Sequence, residues 1–192
     1  MYKLCKTEQS AARQRELEKG LVEIMNTMRY EDVTVSDLCE KMNIPRKSFY
    51  RYFSSKDGAL HALIDHTLME YEQHGNTLFA SRRTLQTDLE NFFQFWVVHK
   101  DLLDALERSG MSGVLIERAI NYSVTEGAFP DRFLSEDALP MRQHLVKFAV
   151  CGLMTMVLQW HSGGYQEPVS EMARIAARLV TRPLFPDVEK MI

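Results

Sequence analysis

Apolar residues return at helical spacing along most of the chain. Leu17, Leu21, Ile24, Met25 and Met28 mark one face of a first helix from about Thr7 to Met28. Val35, Leu38, Cys39 and Met42 mark a short second one, which Thr34 can cap with Asp37 three residues on. Asn43 tolerates a left-handed backbone and ends that helix, and Pro45 suits the start of the next. This third helix, Pro45 to Tyr52, turns Phe49 and Phe53 inward and leaves Arg46, Lys47, Ser48, Tyr50 and Arg51 outside. Tyr30-Glu31-Asp32 is read as the turn leading into the helix pair.

From about Ser55 a long fourth helix carries Leu60, Leu63, Ile64, Thr67, Leu68 and Tyr71, and residues 75–87, with Arg82-Arg83, are expected to be a loop. A fifth helix to about Lys100 shows Leu85, Leu89, Phe92, Phe93, Trp96 and Val97 at helical spacing, with Phe95 and His99 extending its aromatic face. Helices are expected at 101–108 and 112–126 around Gly110, then a loop at 127–138 around Pro130. Two more, 141–162 and 169–182, are separated by Gly163-Gly164 and Pro168. The pattern is all-α, about nine helices, with a division expected at residue 55/56.

Composition narrows the class. The 192 residues, 45% hydrophobic, can bury a substantial core. Cys5, Cys39 and Cys151 have no metal or redox spacing, which fits a reducing compartment, and Cys39 and Cys151 read as small core residues. The polar stretch from Met1 to Ser10 does not resemble a secretory leader. The longest apolar run, Phe148 to Leu158, falls short of the about 20 residues a membrane helix needs. A soluble, cytoplasmic protein is expected. No Gly-rich phosphate loop, nucleophile elbow or H-E-x-x-H occurs, and His61 and His66 are five apart, off a common ligand face. No catalytic residue, metal or cofactor is therefore expected.

Charge singles out one segment. The chain carries a net −3, yet Lys41, Arg46, Lys47, Arg51 and Lys56 place five bases in sixteen residues with no acid between them. Residues 1–66 hold eleven bases and ten acids, net +1, and the remainder twelve and sixteen, net −4. The run has two readings: a solvated helix face, or a surface for phosphates, whose neutralisation releases counterions. Lys3, Lys6, Arg13 and Arg15 put further bases on the amino-terminal arm, which by itself reads as a solvated, frayed terminus.

The residues T-V-x-D-L followed by N-I-P-R-K-S-F-Y-R-Y-F-x-S-K resemble the signature of the TetR/AcrR family of bacterial transcription regulators. The resemblance is strong over about residues 15 to 65 and extends further only as helical layout. It implies a three-helix helix-turn-helix domain at 1–55 that reads double-stranded DNA, and a helical effector-binding and dimerisation domain at 56–192. It implies that Thr34 and Lys56 meet phosphate, that Ser36, Arg46, Lys47 and Ser48 reach bases or phosphates, and that Tyr50 binds phosphate with Arg51 and Tyr52 beside it. Asn43 departs from the usual Gly, Pro45 from a Ser, Lys47 from a small residue, and Gly58-Ala59 from an acidic-then-leucine start. The departures bear on which bases are read.

The resemblance also implies a small-molecule effector in the bundle, with Phe92, Phe95, Trp96, His99, Met111, Leu115, Tyr122 and Trp160 as candidate lining. The same aromatic stripe reads equally as plain core. The last two helices are expected to meet a second copy through Leu153, Val157, Met172, Ile175, Ala176 and Leu179, or else to fill their own core. The function implied is a homodimeric regulator on a pseudo-palindromic operator, a repressor released by a small effector. The alternative is the same fold switched by a protein partner and acting as an activator.

Overall fold

The computed structural model describes residues 2, 3, 5, 7–78, 84–126 and 136–181. Among them the chain forms nine α-helices: α1 (Glu8–Met25), α2 (Val35–Lys41), α3 (Arg46–Tyr52), α4 (Lys56–Leu78), α5 (Leu85–Val98), α6 (Lys100–Arg108), α7 (Ser112–Thr125), α8 (Arg142–Ser162) and α9 (Val169–Thr181). Short 3-10 helices occupy Tyr30–Asp32 and Glu136–Met141, and the described β structure is one isolated bridge between Tyr2 and Phe53. The fold is all-α, as the periodicity predicts.

Boundaries differ where local chemistry is strong. α1 stops at Met25 instead of Met28, with Asn26 as its C-cap, the backbone N–H donating to Val22 O and Ile24 O. α4 runs to Leu78 and α5 begins at Leu85, so the expected 75–87 loop is shorter than its polar sequence suggests. Arg82-Arg83 and most of the expected loop around Pro130 lie outside the described residues.

Two compact units emerge, one of Met1–Glu70 with His99–Tyr122, the other of Tyr71–Val98 with Ser123–Ile192. These boundaries differ from a cut at 55/56: α4 contributes to both units, and α6 belongs with the helix-turn-helix. In the first unit α1 packs against α2 and α6, and α2 against α3. Its core is Leu17, Leu21, Ile24 and Met25 with Leu38, Phe49, Phe53, Leu60, Ile64, Leu103 and Leu106. Burying each such side chain contributes about 1.5–3 kcal/mol. Glu18 is buried there too, and its carboxylate meets His66 Nδ1 at 2.9 and 3.0 Å, because a charge withdrawn from water needs a partner.

In the second unit α5 packs mainly on α9, and also on α8. Phe92, Phe93, Phe95 and Trp96 of α5 are buried, as are Met172 and the small Ala173 and Ala176 of α9, the helix it packs on. Phe93 and Trp160 stack edge to face at 5.6 Å.

Candidate nucleic-acid interface

α2 begins with a reciprocal cap. Asp37 N–H donates to Thr34 Oγ1 at 3.2 Å, while Thr34 N–H donates to Asp37 Oδ2 at 2.8 Å. The Thr34 hydroxyl donates to the same carboxylate at 2.7 Å, and these bonds hold the Asp37 carboxyl below the usual carboxylate range. The helix ends in a Schellman arrangement: Ile44 N–H donates to Cys39 O at 2.9 Å, and Asn43 N–H to Glu40 O at 3.0 Å. Asn43 takes the left-handed conformation, φ 48°, that the sequence requires of it. Pro45 stands one residue earlier than expected, at the cap of α3, in extended backbone with φ −65°.

The turn aims α3 so that Phe49 and Phe53 are fully buried, their rings 5.2 Å apart. Arg46, Lys47 and Arg51 then stand exposed, with Ser48 half-buried beside them. Tyr50 is 44% exposed while its ring edges onto Phe49 at 5.5 Å, so the aromatic body packs and the hydroxyl faces water. Ser36 and Thr34 are exposed at the start of α2. Lys41 spends its charge on Glu23 of α1 at 3.0 Å. Among the described residues no carboxylate pairs with Arg46, Lys47 or Arg51. The outcome is a short rod with three free cations, a phenol and a serine on its outer side.

Two expected contact residues sit differently. Tyr52 is buried at 9% exposure against Phe53, and its carbonyl accepts the Lys3 N–H at 3.0 Å. Lys56 turns back into the protein, donating to Tyr30 O at 2.6 Å, Val33 O at 2.7 Å and Glu31 O at 3.4 Å. Its ammonium also lies 4.3 Å over the Tyr30 ring. The amino-terminal arm is tied down as well: Tyr2 bridges Phe53, and its hydroxyl donates to Asp65 at 2.8 Å. Burial and that carboxylate push the Tyr2 phenol up to about 12. Sequence patterns gave Tyr2 no role and Tyr30 only that of a turn, because a tie between distant segments has no period.

The effector candidates are not gathered in one unit. Phe92, Phe95, Trp96 and Trp160 belong to the second, His99, Met111, Leu115 and Tyr122 to the first. Phe92, Phe95, Trp96, Leu115 and Trp160 are buried; His99 faces Glu70 at 3.6 Å. Trp160 Nε1 donates to Glu167 O at 2.9 Å, and His161 Nδ1 meets the Tyr165 hydroxyl at 2.7 Å. An open cleft of about 330 Å³ in the second unit lies between Thr155, Met156, Gln159, Trp160, Glu167 and Met172, of which only Trp160 is an expected lining residue.

The expected dimer residues also divide. Val157, Met172 and Ala176 are buried within the chain itself. Leu153 and Ile175 are half-buried, and Leu179 is exposed. The outward apolar positions on these helices are instead Phe148, 73% exposed, with Leu179 and Val180. Cys151, expected in the core, lies exposed one turn from Phe148. Because α8 is apolar nearly all round, its sequence could not say which side α5 covers.

Among the described residues no helix is long and apolar enough to cross a membrane, and no cluster of His, Cys, Asp and Glu is arranged to hold a metal.

Residues 23–63 match the family described as "Bacterial regulatory proteins, tetR family". That span runs from the end of α1 through α2 and α3 into α4. Solved structures of similar fold include the fatty acid degradation regulator FadR from Bacillus halodurans, 12% identical, TM-score 0.61, covering 94% of this chain and 98% of that one. The dihydroxyacetone kinase operon activator DhaS is 12% identical with TM-score 0.57, covering 87% and 93%. A TetR/AcrR-family transcriptional regulator from Thermobifida fusca YX-ER1 is 14% identical with TM-score 0.50, covering 90% and 100%. No curated protein matches the chain. Residues 23–63 therefore carry a domain of the tetR family of bacterial regulatory proteins, within an all-helical fold similar to that of solved regulators.

Proposed function

We propose that the protein is a homodimeric repressor that binds a pseudo-palindromic operator through α3 and is released by a small-molecule effector. The observation that carries this reading is the outward side of α3, where Arg46, Lys47, Tyr50 and Arg51 stand together while Phe49 and Phe53 lock the inner side. Arginine and lysine supply both phosphate neutralisation and contacts to guanine edges, and Ser48 accepts or donates to either. Thr34 and Ser36 meet the backbone beside the groove. Work on chromosomal DNA places the protein in the bacterial cytoplasm.

A seven-residue helix reads few base pairs, so useful specificity calls for two copies on half-sites about 34–36 Å apart. The exposed Phe148, Leu179 and Val180 favour α8 and α9 as the seam between those copies.

The reading is tested by selecting duplexes from fragmented genomic DNA with the purified protein. The expected product is an inverted repeat, bound with a log affinity that falls by about 0.9 per phosphate contact for each unit of log salt. Enrichment of no sequence would defeat it.

The second reading, an activator switched by a protein partner, is favoured by one observation. The buried candidate rings pack edge to face on their neighbours, Phe92 on Phe93 and Phe95 on Trp96, as in an ordinary core. The name of DhaS shows that the fold also serves activators. A thermal-shift screen separates the two, since a ligand at a hundred times its dissociation constant adds about 2.7 kcal/mol.

A further inference from the structure

Lys56 is the first residue of α4 and the fifth base of the cationic segment, so its charge alone marks it as a phosphate ligand. Its geometry does not. An ammonium has three donors in a compact head. Here that head is ringed by the carbonyls of Tyr30, Val33 and Glu31, two of them within 2.7 Å, with the face of the Tyr30 ring at 4.3 Å.

The platform is built from several sides. Tyr30 is 6% exposed; its hydroxyl donates to Asp57, the next residue of α4, at 2.6 Å, and its N–H donates to Ser109 Oγ at the end of α6 at 3.0 Å. Burial, and after it the bond to Asp57, push the Tyr30 phenol far above its usual range. The three carbonyls belong to the segment joining α1 to α2, and the last of them, that of Val33, is one residue before the Thr34 cap. A tie at that place fixes how the helix-turn-helix leaves α1 and where it stands on the start of α4. A phosphate could take the ammonium only by displacing these carbonyls.

We propose that Lys56 is a positioning residue, one that sets the angle at which α3 is presented to DNA and neutralises no phosphate itself. This rests on the reading of α3 as the DNA-contacting helix. The two roles differ in what they predict for arginine. Arg keeps the charge and is an excellent phosphate ligand, but its planar fork cannot replace a compact ammonium inside a ring of carbonyls.

The test compares wild type, Lys56→Met, Lys56→Arg and Arg46→Ala on a duplex enriched from a random pool and on a scrambled duplex. Affinities are measured across a salt series, well below each variant's melting temperature, with folding checked by circular dichroism. We expect Lys56→Met and Lys56→Arg to lose about tenfold or more on the enriched duplex, to bind the scrambled one as wild type does, and to keep the wild-type salt slope. Full activity in Lys56→Arg would overturn the proposal. So would a Lys56→Met loss equal on both duplexes with a slope shallower by about 0.9, or no loss at all. If Lys56→Met does not fold, the arginine variant decides alone. Arg46→Ala separates the two levels: if it leaves both duplexes unaffected, the reading of α3 fails, whatever Lys56 does.

Discussion

Asn43 shows how one backbone angle holds the helix-turn-helix in register. At φ 48° a β-carbon costs about 1–2 kcal/mol unless the side chain is Asn or Asp, and glycine carries no cost. Asn43→Gly is therefore expected to melt at or slightly above wild type and Asn43→Ala below it; a neutral alanine in a thermal melt would show that the turn is not held as described. The Thr34 cap is expected to be worth about 1 kcal/mol by Thr34→Ala in the same assay. His61 gives a pH signature. Burial, then the Arg118 charge, lower its imidazole pKa against the opposing pull of Asp65 and Asp57. The folded state thus resists a proton that the unfolded chain takes up near about pH 6.5, so stability is lost as pH falls through that value and below. His61→Gln should lose less melting temperature than wild type between pH 7 and pH 5, and equal losses would rule out His61 as the source.

At the scale of elements, α1 and α2 meet at Gly20, where an added β-carbon would lie 2.3 Å from Met42 Sδ and 3.5 Å from Leu38 Cδ1. The thioether can swing aside, so Gly20→Ala should be close to neutral. Gly20→Leu should cost about 1–3 kcal/mol by overpacking, read as a lower denaturant midpoint at unchanged slope; an unchanged midpoint would mean that the two helices are not in close contact. Most of this element level was legible in advance. Helical spacing and stop signals located all nine described helices, and Asn43 and Gly110 announced stops that the structure closes with i to i−5 bonds, Ile44 to Cys39 and Met111 to Leu106. What stayed hidden was the pairing of faces. Periodicity says that Val157 and Met172 are apolar, but both a partner helix and a second subunit satisfy that requirement; only the packing of α5 on α9 and α8 assigns them to the core and leaves Phe148 outside. The surroundings of Lys56 stayed hidden for a related reason, since charge is written in the sequence and the carbonyls around it are not.

For the molecule as a whole, exposed Phe148 is the sharpest handle on assembly. Phe148→Glu should leave the melting temperature of the isolated fold nearly unchanged, as expected for a solvent-facing site, yet convert dimer to monomer in sedimentation equilibrium; a dimer that survives it would place the seam elsewhere. Operator binding should fall as the dimer is lost, because a lone α3 holds one half-site only. Everything at this scale depends on the cationic side of α3 reading DNA. The most direct measurement is the affinity of purified protein for its enriched inverted repeat, with and without Arg46→Ala and Lys47→Ala. The account predicts two protomers per duplex, a steep fall in affinity with salt, and losses of about 1–3 kcal/mol per variant with relaxed preference at one position of each half-site. Unchanged affinity and preference in both variants would contradict it.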